Sequence, residues 1–176
     1  MKQANHGETR IRWVVMGVSG CGKSTIGQLL ADAHGDAFVE GDAFHPPANV
    51  AKMSAGQPLN DDDRSDWLRA LKTEISRARE QGVGLVMSCS ALKRSYRDLL
   101  READPALRFV HLHGPRALIA ERLAARRDHY MPPLLLDSQL AALEPLGQDE
   151  QGIHLDIQRA PAQLVHTILE GDSGAA

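Results

Sequence analysis

Five short apolar runs, at residues 11–16, 37–40, 84–89, 108–113 and 153–157, are each bounded by turn residues or polar clusters, the pattern of buried strands. Between them the apolar positions change to helical spacing. Residues 25–33 follow Ile26, Leu29, Leu30 and Ala33 at i, i+3, i+4 and i+7, and residues 65–81 carry Trp67, Leu68, Leu71, Ile75 and Ala78 on one side. Residues 116–127, with Leu118, Ile119 and Leu123, and residues 161–170, with Leu164, Val165, Ile168 and Leu169, repeat the pattern. Strands alternating with helices predict an α/β fold in three layers, a parallel sheet covered on both faces. No repeat or linker separates two cores, so one domain is expected over residues 1–176, with its core at about 11–170.

Two stretches fit that alternation poorly: residues 44–64, rich in Pro, Asn and Asp, and residues 126–137, where Arg-Arg-Asp-His-Tyr-Met-Pro-Pro interrupts a helical pattern. Loops this long in a compact domain are usually functional. In parallel sheets ligands sit beyond the carboxyl ends of the strands, which makes the residues just after each strand the site candidates.

The first strand runs into Gly17-Val18-Ser19-Gly20-Cys21-Gly22-Lys23-Ser24, which matches the phosphate-loop pattern G-x-x-x-x-G-K-[ST] at every fixed position. Glycines let backbone N–H groups close around phosphate oxygens, Lys23 reaches the β and γ phosphates, and the Ser24 hydroxyl suits Mg²⁺. The helix that follows, with Thr25 in its first turn, adds its positive end. Residues 17–25 are therefore expected to hold ATP. In a phosphoryl-transfer enzyme the two ill-fitting stretches become a substrate cap and a lid.

After the second strand comes Glu40-Gly41-Asp42-Ala43-Phe44-His45-Pro46. Asp42 there can accept a hydroxyl proton and orient the oxygen for in-line attack, or it can simply cap a turn before Pro46. His45 is a weaker candidate for substrate contact. Asp61, Asp62 and Asp63 have a strong structural explanation as helix N-terminal residues, whereas Arg64 beside them can aim a fork of donors at a carboxylate. Lys93 and Arg97 lie four apart after the third strand and would share a helix face, a cationic pair for an anionic substrate or a solvated basic face. Arg122, Arg126 and Arg127 lie at the entrance to the lid stretch, where arginines can close over a triphosphate or balance a helix dipole.

Composition narrows the partners. Twenty Lys and Arg against 23 Asp and Glu give a formal net charge of -3, and aromatic residues make up 4%, a poor basis for binding nucleic acid. Cys21 and Cys89 are too few for a disulfide framework, which fits a cytoplasmic protein. Residues 1–10 lack an apolar signal region and no run approaches a membrane span, so no membrane association is expected.

In order and spacing the chain resembles the bacterial-type gluconokinases, phosphate-loop kinases that phosphorylate D-gluconate at its 6-hydroxyl with ATP. The resemblance rests on the phosphate loop, Gly41-Asp42-Ala43-Phe44-His45-Pro46, Asn49-Val50-Ala51-Lys52-Met53, Gly56-Gln57-Pro58-Leu59-Asn60-Asp61-Asp62-Asp63-Arg64, and Ser90-Ala91-Leu92-Lys93 with the residues up to Arg101. It continues through residues 129–139 and Leu143-Glu144-Pro145. It implies the architecture of the nucleoside-monophosphate and shikimate kinases, with a five-stranded parallel sheet, a cap at about 44–64, a mobile lid at about 126–137, Mg²⁺ and a homodimer. It further implies that Lys23 and Arg126 stabilise phosphoryl charge, with Arg122 near the nucleotide. Asp42 would activate the hydroxyl, Arg64, Lys93 and Arg97 would hold the gluconate carboxylate, and His45, Asn60 and His129 would contact substrate. Two other readings stay open: another small-metabolite kinase, such as one for shikimate or a nucleotide, and a nucleotide-binding regulatory module without turnover.

Overall fold

The computed structural model describes residues 10–126 and 132–173. Its centre is a five-stranded, all-parallel sheet in the order β2-β3-β1-β4-β5, formed by β1 (Arg12–Met16), β2 (Ala37–Glu40), β3 (Leu85–Ser88), β4 (Arg108–His113) and β5 (Gly152–Asp156). β1 lies in the middle and is buried along its whole length, which is why its sequence is nearly all apolar rather than alternating. Its side chains divide by parity, as a strand requires. Trp13 and Val15 join Ile26, Leu30, Leu112 and Leu164 on one face, while Val14 and Met16 join Leu71, Ile75, Met87 and Phe109 on the other.

Helices cover both faces: α1 (Lys23–His34), α2 (Pro47–Ser54), α3 (Asp61–Glu80), α4 (Arg94–Arg101), α5 (Arg116–Ala124), α6 (Pro133–Ala142) and α7 (Pro161–Ser173). The five residues expected on the inner stripe of α3 are the five that are buried. α3 begins at Asp61, four residues before the apolar pattern. The Asn60 side chain accepts from the Asp63 N–H at 2.8 Å and the Asp63 carboxylate accepts from the Asn60 N–H at 3.0 Å, a reciprocal cap that carries the helix back over the acidic run. The two ill-fitting stretches also contain regular structure. α2 lies within 44–64 and starts on Pro47, and α6 starts on Pro133 inside 126–137; proline is preorganised for a first helical turn, where its missing N–H costs nothing. α5 ends at Ala124, before the 127 expected from periodicity.

β2 pairs with β3 rather than with β1, and β4 lies on the other side of β1. The strand order thus reverses beside β1, and the loop leaving β1 opens into the crevice where such sheets bind ligands. Gly41 closes that crevice: a Cβ there would stand 1.9 Å from Ser88 O, so only glycine lets the end of β2 come this near β3.

Candidate active site

The loop between β1 and α1 has the backbone that its glycines permit. Gly20 has φ +85°, and a Cβ on it would stand 2.5 Å from Leu123 Cγ; Gly22, at φ +93°, is the residue before α1. No side chain caps α1, so the first N–H groups of this helix remain directed into the loop as donors for an anion. A triphosphate fits this donor set. The Lys23 ammonium donates to Val18 O at 3.0 Å across the loop. The Ser24 hydroxyl donates to the Glu40 carboxylate, which also accepts from Ser88 Oγ, and Ser88 Oγ accepts from Gly41 N–H at 3.1 Å. Glu40 therefore ties the end of β2 to the loop and to β3.

Two hollows meet at this loop. One, with a volume of ≈ 260 Å³, is lined by Gly20, Cys21, Gly22 and Thr25 from the loop side and by Arg122 and Arg126 from the end of α5. Arg122 is held in place by donating to Ile157 O at 2.9 Å. The other is lined by Ser19 and Lys23 together with Asp42, His45, Arg64 and Ser90, so three expected substrate residues from two segments converge on the phosphate loop. Asp42 projects from the 3₁₀ turn Gly41–Phe44 with its side chain 67% exposed, free of the turn-capping role that its position allowed. His45 is the opposite. Its ring is buried and stacked on Trp67 with centroids 4.2 Å apart and planes at 15°, and Trp67 Nε1 donates to Gly41 O at 2.8 Å. Burial lowers the His45 pKa against the pull of Asp42, and Arg64 lowers it further, which favours the neutral ring. Arg64 Nη1 donates to Leu59 O at 2.7 Å and to Tyr96 Oη at 3.3 Å; among the described residues its other donors have no partner.

One expected contact, Arg97, is corrected, while Lys93 and Asn60 take partners inside the protein. Arg97 is not a substrate ligand, because its side chain is fully buried and its donors are spent inside the protein. Nε and Nη2 fork onto Glu150 at 2.7 and 2.9 Å, while Nη1 donates to Ala91 O and Glu144 O, each at 2.9 Å. Lys93 precedes α4 rather than lying in it, so the pair never shares a helix face. Its ammonium bonds Asp61 at 2.9 Å over the Tyr96 ring, and it is absent from the pocket lining. Asn60 spends its side-chain oxygen on the α3 cap and also stands outside the lining. Arg127 and His129 lie outside the described residues. Cys89 is no nucleophile: burial pushes its thiol up to about 12.

Two polar residues here had no role in the pattern of motifs. Gln139 of α6 accepts from Ser19 N–H at 2.8 Å and donates to Ser19 Oγ at 3.3 Å, joining the helix that begins within the lid stretch to the phosphate loop. Asn49, 4% exposed in the first turn of α2, contacts both His45 and the start of α3. The Ser19 and Asp63 partners lie 120 and 14 positions away in other elements, so neither contact leaves a local signal.

A phosphate loop at the switch point of a parallel sheet, with a carboxylate and a cation facing it across a small pocket, defines a kinase of the P-loop class. A family model described as an AAA domain matches residues 13–146. A gluconokinase of Gluconobacter oxydans is 47% identical over 156 residues, covering 89% of this chain and 88% of that protein. The thermoresistant gluconokinase of Escherichia coli is 44% identical over 160 residues, covering 90% and 91%. The crystal structure of a gluconokinase from Sinorhizobium meliloti superposes with a TM-score of 0.84 at 46% identity, covering 94% of this chain and 93% of that one. The chain belongs to the gluconokinase family.

Proposed function

We propose that this protein transfers the γ-phosphoryl group of ATP to the 6-hydroxyl of D-gluconate, giving 6-phospho-D-gluconate. The observation that carries the reading is the convergence of Lys23, Asp42 and Arg64 on one pocket opening onto the phosphate loop. ATP would lie with its phosphates on residues 17–25 and its nucleoside end toward the hollow beside Arg122. Mg²⁺ fits the Ser24 hydroxyl beside Glu40, and when bound it would neutralise phosphate charge. Lys23, with Arg126 brought in from the end of α5, stabilises charge on the transferring group. Asp42 orients the acceptor hydroxyl and takes its proton. At the far end of the pocket Arg64 pairs with the gluconate carboxylate through its free donors, supported by Tyr96 and, behind it, by the Asp61–Lys93 pair.

Residues 44–64 act as the cap and 126–137 as the lid. The protein works as a homodimer in the cytoplasm. The two cysteines, unbridged and buried, suit a reducing compartment, and among the described residues no helix is long and apolar enough to cross a membrane. The carboxylate assignment is tested by comparing gluconate with glucose, which has the same acceptor hydroxyl and no carboxylate. Turnover on glucose should be very poor; comparable turnover on both would remove Arg64 from that role.

A further inference from the structure

His45 reaches the pocket with one nitrogen already committed. Asn49 Nδ2 donates to Asp63 O at 2.7 Å, and because a carbonyl only accepts, this contact fixes which end of the amide is nitrogen. The same nitrogen stands 3.4 Å from His45 Nδ1. An amide NH₂ has no lone pair to offer, so Nδ1 must be the acceptor. A neutral imidazole that accepts at Nδ1 carries its hydrogen on Nε2. Nε2 is 3.9 Å from Asp42 Oδ1, too far for a direct hydrogen bond, and has no hydrogen-bond partner among the described residues. Stacking on Trp67 fixes the plane of the ring, and the Asn49 contact sets which edge faces α2.

We propose that Asn49 is a positioning residue that holds His45 in its Nε2–H form, so that His45 and Asp42 present one donor and one acceptor to the same substrate oxygen. An alcohol satisfies both at once, giving its proton to Asp42 and receiving a hydrogen bond from His45. A carboxylate or phosphate acceptor has no proton to give and would face the Asp42 charge. The pair thus selects a hydroxyl as the phosphate acceptor, and His45 serves as a donor, never as the base. The lowered pKa of His45 agrees with this, since burial favours the neutral ring. The arrangement also gives the α3 cap a link to the chemistry: the Asp63 carbonyl that orients Asn49 belongs to the residue that caps α3 with Asn60, and the Asp63 carboxylate is held by Lys52 at 2.8 Å.

The inference rests on the gluconate reading for its kinetic arm but not for its structural arm. Nitrogen-15 NMR of the histidine-labelled, ligand-free protein at neutral pH should show His45 protonated at Nε2 and bare at Nδ1; the reverse tautomer overturns the proposal whatever the substrate is. Asn49→Leu should scramble that tautomer and lower kcat for gluconate roughly tenfold, with KM for ATP unchanged. Unchanged kcat in a folded Asn49→Leu protein counts against it. Should that variant fail to fold, His45→Gln and His45→Ala decide, because a glutamine amide can place an N–H near the position of Nε2 but cannot act as a base. Glutamine should recover most of the turnover that alanine loses; equal loss in both overturns the donor role. A parent with the expected tautomer and no turnover on gluconate upholds the positioning of His45 and overturns the functional reading alone.

Discussion

Asp42 and His45 are three residues apart and fill opposite roles because one is exposed and the other buried. The exposed carboxylate supports no packing, so changing it should touch chemistry alone. Asp42→Asn keeps the size and a hydrogen-bonding oxygen while removing the charge, and turnover should fall by roughly 10²- to 10⁴-fold with melting temperature and MgATP binding nearly unchanged. Near-parental turnover in steady-state kinetics would leave the base unidentified. Lys23 invites a parallel test. Its ammonium touches only the Val18 carbonyl in the described contacts, so Lys23→Ala should abolish phosphoryl transfer, as a coupled assay reads it, and leave the thermal melt in place. At this scale the sequence made the phosphate loop and Asp42 legible because spacing and position after a strand carry the signal. It made Arg97 misleading. Four-residue spacing from Lys93 says nothing about Glu150, fifty-three positions later, which takes the guanidinium into the interior.

That buried contact belongs to the scale of elements. Arg97 fastens α4 to the segment before β5, and through Ala91 O it holds the left-handed turn at Ala91, φ 44°, beside the pocket residue Ser90. Burial works to raise the Glu150 carboxyl, but the hydrogen bonds from Arg97 and Arg101 more than reverse it and bring it to about 2. The folded value lies below the ordinary 4.5, so this contact stabilises the protein fully above about pH 4.5 and is lost as the pH falls toward 2. Glu150→Gln leaves the arginine charge uncompensated and should cost about 3–5 kcal/mol in denaturant unfolding at neutral pH. The gap between parent and variant should close as the pH drops below 4.5; a gap that is constant with pH would mean that the pair is not the source. The strands and the longer helices could be read from periodicity, since each buries one face or two along its length. α2 and α6 could not. Both are short and proline-led, and α6 buries only Leu135 and Leu136 in the middle of a mixed run.

For the whole molecule, the hydrophobic pattern was enough for a parallel three-layer sheet, because the central strands β1, β3 and β4 are buried on both faces and read as near-continuous apolar runs. The strand order was not in the pattern, since which strands become neighbours depends on crossovers, and the pocket exists only through that order: β2 beside β3 brings Asp42 to Ser90 and the loop after β1. The proposed homodimer predicts that light scattering on the purified protein at micromolar concentration returns twice the chain mass; the mass of one chain would remove it. The central claim is that this pocket joins an anionic polyol to the phosphate loop. It is tested most directly by ADP release from MgATP with gluconate, glucose, shikimate and nucleoside monophosphates presented in parallel, the product then located by phosphorus NMR. Gluconate should be turned over far faster than any of the others, with the phosphate on the 6-oxygen. No turnover on gluconate, or equal turnover on glucose or a nucleotide, would contradict the account.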